Sequence, residues 1–211
     1  MVQKRLLDIA IDAFGQHGLD GASTREIAAA AGTAMSSITY HYGGKEGLYL
    51  AAADEVACQM GTPAVLEHID AVIARSEPDE AREAIHAILG NFIGRLQDDQ
   101  SNSWALFIMR EQLNPTAAFE RIFAGPMGRT AFALVELVCI ATGSRDRDEA
   151  RITAISLFGQ VLVLKAARAT CRKILDRETL NAELLQAYVA RVRANTDAIL
   201  DRMVAEQQGQ S

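Results

Sequence analysis

Apolar residues recur every three or four positions along most of the chain, which is the spacing of amphipathic α-helices. In the first such segment they are Leu6, Ile9, Ala10, Ala13 and Phe14. Gly15 and Gly18 are expected to end this helix. Ser23 lies three residues before Glu26, a capping-box pattern that predicts a second helix from Thr24 to Ala31. Gly32 ends that helix, and a third is predicted from about Met35 to His41. Helix, glycine turn, helix is the order of a helix-turn-helix.

The rest of the chain has the same helical pattern, so we predict an all-α fold. The segment near Leu157 to Leu164 is apolar on nearly every side, which indicates a helix that is covered on all sides. The further predicted helices are Lys45–Met60, Pro63–Arg75, Glu80–Leu96, Trp104–Leu113, Thr116 to about Ala141 with a kink at Gly125 and Pro126, Asp146–Arg172 and Thr179–Glu206.

These elements predict four parts of the chain. Residues 1–46 form a three-helix DNA-binding domain with the helix-turn-helix, and residues 47–61 form a connecting helix. Residues 62–207 form a helical bundle that dimerises. Residues 208–211 are expected to be a disordered tail.

The charge of the chain restricts how it could bind nucleic acid. The formal net charge is −6, and residues 1–60 carry four Lys/Arg against seven Asp/Glu. General adhesion to nucleic acid is therefore excluded, and DNA binding would need a local surface. The segment from Thr33 to Lys45 could form such a surface, because it contains no Asp or Glu.

Other chemistry is not supported. The three cysteines show no zinc-binding spacing, and the start of the chain has no apolar signal-peptide core. No apolar run is long enough for a membrane span, so we expect a reduced cytoplasmic protein without a membrane partner. Glu83 and His86 are spaced as in di-iron bundles, but no second copy of the motif exists. We therefore expect no metal, no cofactor and no enzyme activity.

Residues 5–55 resemble the DNA-binding domain of the tetracycline-repressor (TetR) family of transcriptional regulators. The matching residues are Thr24, Ile27-Ala28, Ala31-Gly32, Ile38, Tyr40 to Tyr42, Lys45-Glu46 and Leu48. The chain departs from the family pattern at Thr33-Ala34, at Ser36 and at Thr39, where the family has tyrosine.

This resemblance, together with the exposed positions of the third helix, predicts which residues bind DNA. Thr24, at a helix N-terminus, suits a phosphate. His41 and Lys45 fall on family positions that contact phosphate, and Arg25 on one that contacts a base edge. The full predicted set is Thr24, Arg25, Met35, Ser36, Ser37, Thr39, Tyr40, His41 and Lys45.

The run REQLNPTAAF, from Arg110 to Phe119, resembles the CecR-type branch of the family, and residues 80–205 match the C-terminal domain of that branch. The resemblance implies an effector pocket in this part of the chain. The residues predicted to line it are His86, Trp104, Phe107, Arg110, Glu111, Phe119, Phe123 and Phe158. The alternative for Arg110 and Glu111 is a structural salt-bridged pair at a bend.

Two helices from each subunit are expected to form a four-helix dimer interface. The predicted interface residues are Ile155, Phe158, Leu162, Leu184, Tyr188, Val192, Ile199 and Met203. The sequence thus predicts a homodimeric regulator that binds a near-palindromic double-stranded DNA operator and is released by a small-molecule effector, most simply a repressor. An activator or dual regulator of the same fold would share these features. A helical ligand carrier or enzyme without DNA binding is the other alternative.

Overall fold

The computed structural model describes residues 2–95 and 100–209, and within them the secondary structure is helical with no strand. Twelve α-helices are present there, with a π-helical turn at Phe123–Met127 between the eighth and the ninth. They are α1 (Val2–Gly21), α2 (Thr24–Ala31), α3 (Met35–Tyr42), α4 (Lys45–Met60), α5 (Pro63–Arg75), α6 (Pro78–Gly94), α7 (Gln100–Leu113), α8 (Ala117–Ile122), α9 (Gly128–Thr142), α10 (Arg147–Ala166), α11 (Arg168–Leu175) and α12 (Ala182–Gly209). The predicted all-α fold is confirmed.

The helices form two compact units. The first unit lies within Met1–Thr62 and Asp99–Arg129 and contains α1 to α4, α7, α8 and the π-helical turn. The second unit lies within Pro63–Asp98 and Thr130–Ser211 and contains α5, α6, nearly all of α9, and α10 to α12. The α7–α8 hairpin, which comes from much later in the chain, therefore belongs to the same unit as the helix-turn-helix and packs on α1 and α4.

Aromatic side chains build the core of the first unit. The ring of Tyr49 lies edge-on to Phe14, with centroids 4.9 Å apart, and 4.7 Å from the ring of Phe107. All three side chains are buried, as are Ile27 and Ile38 of the helix-turn-helix. Helices α1, α4 and α7 thus share one apolar centre.

The second unit has its own core between α6, α9, α10 and α12. Ile85, Leu89, Leu137, Leu157 and Leu200 are fully buried there. Because α10 is buried on this side, its apolar residues on the opposite side remain exposed, and Ile152 and Ile155 are the largest of them.

Several predicted helix ends differ from the structure. Helix α1 does not end at Gly15; it continues to Gly21 and is broken only at Gly18, which has φ 72° and ψ 178°. A glycine inside a helix costs only about 1 kcal/mol, so Gly15 does not terminate it. Helix α6 begins at Pro78, before the predicted Glu80, since proline is favoured in a first helical turn. Its predicted end, Leu96, lies outside the described residues.

The predicted helix from Asp146 to Arg172 is two helices. Helices α10 and α11 meet at Ala167 with a bend of 84°. Neither Gly nor Pro marks this bend, so the local sequence contains no signal for it. In the predicted disordered tail, Gln208 and Gly209 belong to α12, and residues 210–211 lie outside the described residues.

One stretch of the described residues, Ala117–Thr142, is long and apolar enough to span a bilayer by length and composition alone. The bent pair α10 and α11 passes the same test only if it is counted as one span. A core helix of a soluble protein has the same properties, so the stretch is weak grounds for a membrane span.

Candidate nucleic-acid interface

Helix α2 is capped at both ends, and its C-terminal cap begins the turn to α3. The Glu26 backbone N–H donates to the Ser23 hydroxyl at 3.3 Å, which confirms the predicted N-terminal cap of α2. Gly32 ends α2 with φ 70°, a left-handed conformation that glycine adopts without strain. The Thr33 N–H then donates to the Ala28 carbonyl at 3.0 Å. The backbone bonds of Gly32 and Thr33 fix the direction in which the chain leaves α2 for α3.

Helix α3 is buried only through Ile38, so most of its surface faces solvent. Of the nine residues predicted to bind DNA, six are exposed: Arg25, Met35, Ser36, Thr39, Tyr40 and His41. Thr24, Ser37 and Lys45 are half-buried, and the hydroxyls of Thr33 and Ser37 bond to each other at 3.2 Å. Tyr40 is 85% exposed, with its ring 5.0 Å from that of His41. The exposed face of α3 contains hydrogen-bonding groups and no carboxylate.

Two basic side chains, Lys45 and Arg5, bond to backbone carbonyls of neighbouring helices in this domain. The Lys45 amine donates to the Asp20 carbonyl at 2.9 Å, near the end of α1. Arg5 donates to the Ala30 carbonyl at 3.3 Å, near the end of α2. Both bonds place a positive charge at the negative end of a helix dipole. The sequence did not indicate the partner of either side chain, because each bond spans 25 positions.

The joint between α3 and α4 depends on Gly47, which was not singled out in the sequence. A Cβ atom there would lie 1.6 Å from the Tyr42 carbonyl oxygen. No side chain can be accommodated at that distance, so the crossing of α3 and α4 requires glycine.

The residues predicted to form the effector pocket are divided between the two units. Trp104, Phe107, Arg110, Glu111, Phe119 and Phe123 belong to the first unit, and His86 and Phe158 to the second. Phe107 is 0% exposed within the core of the first unit, and the rings of Phe119 and Phe123 stack at 5.7 Å. In the second unit, His86 bonds to Asp197 at 2.8 Å and the Phe158 ring lies 5.0 Å from Phe92.

Arg110 and Glu111 do not form the salt-bridged pair that was the alternative to a place in the pocket. Arg110 donates to the Gln16 carbonyl at 3.1 Å and to the Gly15 carbonyl at 3.5 Å. Glu111 accepts from the Tyr49 hydroxyl at 2.5 Å and from groups at the start of α8. The two adjacent side chains therefore point to different helices.

The second unit has a shallow recess of about 290 Å³, which none of the eight predicted pocket residues lines. Its lining is mostly leucine: Leu164, Leu175, Leu180, Leu184, Leu185, Ala187, Tyr188 and Arg191. Leu184 and Tyr188 of this recess are predicted dimer residues. The Tyr188 hydroxyl donates to the Gln160 carbonyl at 2.6 Å, which fixes one wall.

The eight predicted dimer residues differ in exposure. Ile155 is 72% exposed, and Phe158, Leu162, Leu184, Tyr188 and Ile199 are half-buried. Val192 and Met203 are buried in the core of one protomer, so they have almost no surface to offer a second chain. Within the part of the chain that the structure describes, no group of three His, Cys, Asp or Glu could hold a metal ion.

An all-helical chain whose helix-turn-helix presents an acid-free, hydrogen-bonding face defines a DNA-binding regulator of the helix-turn-helix class. Two family models match it in consecutive parts. Residues 6–52 match the bacterial regulatory proteins of the tetR family, and residues 81–203 match the C-terminal domain of the HTH-type transcriptional dual regulator CecR. The chain belongs to the TetR family of transcriptional regulators, with a CecR-type C-terminal domain.

Individual proteins of known sequence or structure are also similar to this chain. The chain is 35% identical over 173 residues to the HTH-type transcriptional dual regulator CecR of Shigella flexneri, covering 80% of this chain and 77% of that protein. A transcriptional regulator from Pseudomonas aeruginosa PAO1 superposes with a TM-score of 0.65 at 22% identity, over 94% of this chain and 90% of the other. A TetR-family regulator from Mesorhizobium loti superposes with a TM-score of 0.57 at 19% identity, over 97% and 95%. The two structures share the fold.

Proposed function

We propose that this protein is a homodimeric repressor that binds a near-palindromic DNA operator and is released from it by a small-molecule effector. The observation that carries the proposal is the exposed face of α3, which is free of carboxylates in a chain of net charge −6. Since its target is DNA, we also propose that the protein acts in the cytoplasm.

The predicted DNA-binding residues divide by chemistry into those that position the protein and those that read sequence. Thr24, His41 and Lys45 bind phosphates and set the register. Arg25, Ser36, Ser37 and Thr39 contact base edges, with Arg25 donating to a guanine. Met35 and Tyr40, which are also exposed, pack against the walls of the groove.

Dimerisation brings two such faces to one operator. Related by a two-fold axis, they would enter successive major grooves about 34–36 Å apart. The exposed and half-buried residues Ile155, Phe158, Leu162, Leu184, Tyr188 and Ile199 support an interface formed by α10 and α12. Val192 and Met203 stabilise this surface from beneath. The partner also covers the leucine-lined recess, because Leu184 and Tyr188 belong to both.

The effector would act by preferring one conformation of the dimer. A small molecule that binds better to a form with the wrong spacing of the two DNA-binding faces shifts the population away from the operator-bound form. We propose that it contacts the partly exposed aromatic residues of the predicted set in the first unit, Trp104, Phe119 and Phe123. Phe107, Arg110 and Glu111 support this surface from the core.

The second candidate is dual regulation, favoured by the Shigella flexneri relative, which is a transcriptional dual regulator. Repression and activation use the same DNA-binding face, so binding experiments do not separate them. Reporter expression with and without the protein does: a repressor only lowers expression from its operators, whereas a dual regulator raises it at some of them.

Selection of random duplex DNA with the purified protein tests the proposal. We expect enrichment of two inverted half-sites with the wild-type protein. The Arg25→Ala variant is expected to lose preference at one base pair of each half-site. The control is Arg75→Ala, an exposed arginine of the second unit that pairs with Glu80. If the wild-type protein enriches no sequence, sequence-specific regulation is excluded.

A further inference from the structure

We propose that Arg110 and Glu111 are positioning residues for operator binding. Through them the α7–α8 hairpin holds α1 and α4 and so sets the orientation of the helix-turn-helix. This inference rests on the proposed function. It gives the REQLNP segment, which was expected to line the effector pocket, a different role.

Arg110 replaces helical hydrogen bonds that α1 loses at Gly18. With φ 72° and ψ 178° at Gly18, the helical ladder is interrupted near the carbonyls of Gly15 and Gln16. The guanidinium group of Arg110 donates to both, at 3.5 and 3.1 Å. A positive charge at this end of α1 is also favoured by the helix dipole.

The break at Gly18 also makes room for this arginine. A Cβ atom at Gly18 would lie 3.0 Å from Nη1 and 3.3 Å from Cζ of Arg110. Helix α2 begins three residues after α1 ends, at Thr24. Because the connection is so short, the position of this last part of α1 determines where α2 begins.

Glu111 links two other helices. Its side chain is buried, and one carboxylate oxygen accepts from the Tyr49 hydroxyl of α4 at 2.5 Å. The other oxygen accepts from the Thr116 N–H and hydroxyl, both at 2.9 Å, and from the Phe119 N–H at 3.0 Å. The carboxylate thus caps α8 and binds α4 at the same time. Burial, followed by the bond to Glu111, raises the pKa of Tyr49 well above its usual range, so Tyr49 remains a donor.

The hydrogen bonds of Arg110 and Glu111 are directional, whereas apolar contacts are not. Phe14, Tyr49 and Phe107 already bury the centre of the unit, but apolar side chains tolerate small rotations between helices. A buried carboxylate with four donors is satisfied in one arrangement only, and a mismatch would leave it without partners.

The α7–α8 hairpin lies in the chain between two segments of the second unit. The chain reaches the α7–α8 hairpin from the second unit and returns to the second unit after it. Within the first unit, the side chains of Arg110 and Glu111 form the hydrogen bonds by which the hairpin holds α1 and α4.

The test compares the protein on two duplexes obtained by selection, one with both half-sites and one with a single half-site. A loosened hairpin leaves each DNA-binding face intact but removes its fixed orientation. We therefore expect Arg110→Gln to lower affinity for the two-site duplex about tenfold, as loss of a charged hydrogen bond predicts, with less than about a twofold change on the single half-site. Arg110→Lys, which keeps the charge, should restore part of the loss.

The control is Arg121→Gln, because Arg121 lies on the same hairpin and pairs with Asp54 of α4 at the surface. Such a pair contributes little, and no change is expected on either duplex. Tyr49→Phe is the second variant, since it keeps the ring and removes only the hydroxyl. It should also weaken binding to the two-site duplex but not to the single half-site. This result tests the proposal even if Arg110→Gln does not fold.

The outcomes separate the two proposals. If Tyr49→Phe and Arg110→Lys change both duplexes equally, or change neither, the positioning roles are wrong while sequence-specific binding stands. If the wild-type protein does not prefer either duplex over random DNA, the proposed function fails and the positioning roles fail with it.

Discussion

Gly47 shows how one residue without a side chain can fix the DNA-binding domain. Its α-carbon lies against the Tyr42 carbonyl, where an added Cβ would approach to 1.6 Å. Gly47→Ala must therefore push α4 away from α3. We expect a loss of at least about 3 kcal/mol in unfolding free energy, at the upper end for overpacking, measured by chemical denaturation.

Gly90→Ala is the matched control for this substitution. Gly90 also lies within a helix, and a Cβ atom there meets nothing within 4 Å. Alanine at this position should be neutral or stabilise the protein by up to about 1 kcal/mol. Since alanine favours helix more than glycine does, an equal loss in both variants would show that the contact with Tyr42 does not explain the first result.

Lys45 is both a predicted phosphate contact and a cap for the Asp20 carbonyl. If its amine also binds phosphate, Lys45→Ala should weaken binding to all DNA sequences about equally and reduce the slope of log affinity against log salt by about one. Binding is measured between 50 and 200 mM salt, the range in which such slopes are steep. Lys173→Ala, in the second unit, is the control. An unchanged slope in Lys45→Ala would leave this lysine with the structural role alone.

At the residue scale, the sequence predicted which side chains are exposed better than it predicted their hydrogen-bond partners. Charge-free positions at helical spacing identified most of the exposed α3 surface, because exposure follows from local periodicity. The partners of Arg110 and Glu111 lie 94 and 62 positions away, at Gln16 and Tyr49. Periodicity contains no information about such pairs, so the same two residues were assigned to a pocket.

At the element scale, helices with local caps were predicted closely. Helix α2 was predicted to its residue limits because Ser23 and Gly32 mark them directly. The α10–α11 bend has no such marker: Ala167 takes a non-helical conformation although alanine favours helix. Packing outside the segment must select this bend, and packing is not visible in a local pattern.

The contact between α6 and α12 gives a prediction about pH. Burial alone would raise the pKa of Asp197, but its bonds to His86 and Arg82 outweigh burial and hold the pKa below its usual value. Arg82 also pairs with Asp201 at 2.7 Å. A carboxyl group with a lowered folded-state pKa stabilises the protein above its unfolded-state pKa, about 3.9, and this contribution is lost as the pH falls through the folded-state value.

Asp197→Asn should therefore unfold more easily at pH 7 and behave like the wild-type protein at low pH. Because Asp197 is partly exposed, we expect a difference of only about 1 kcal/mol at pH 7, narrowing as the pH falls below about 4. Urea unfolding at several pH values measures it. Asp54→Asn, in an exposed pair with Arg121 and away from the helix ends, is the control and should show almost no difference. A difference that is constant with pH would exclude the contribution of the Asp197 charge.

At the scale of the whole molecule, the helical class followed from the sequence but the grouping of helices did not. The predicted boundaries divide the chain in order, at residues 46, 61 and 207. The compact units instead interleave, because Asp99–Arg129 packs with Met1–Thr62. The first helices leave an apolar surface around Phe14 and Tyr49, and Phe107 of α7 covers it. Which later helix would do so depends on long-range packing.

The exposed side of α10 leads to the last prediction. Ile152 and Ile155 are 69% and 72% exposed on the second unit, side by side on one helix face. If this face is the dimer interface, the two-fold axis places each substituted residue twice in the interface. Ile155→Glu would bury two unpaired carboxylates and weaken the dimer by at least about 3 kcal/mol. Leu162 is a poorer position for this test, since it is half-buried and a charge there would also disturb the protomer.

Light scattering over a concentration series measures the dimer, and affinity for the two-site duplex measures the consequence. We expect Ile155→Glu to be monomeric at concentrations at which the wild-type protein is dimeric, and to bind two half-sites no better than one. Leu113→Glu places the same charge at a residue that is 76% exposed on α7 and should remain dimeric. A fully dimeric Ile155→Glu would move the interface away from this face of α10. Monomers in both variants would mean that added charge, and not its place on α10, disrupts the dimer.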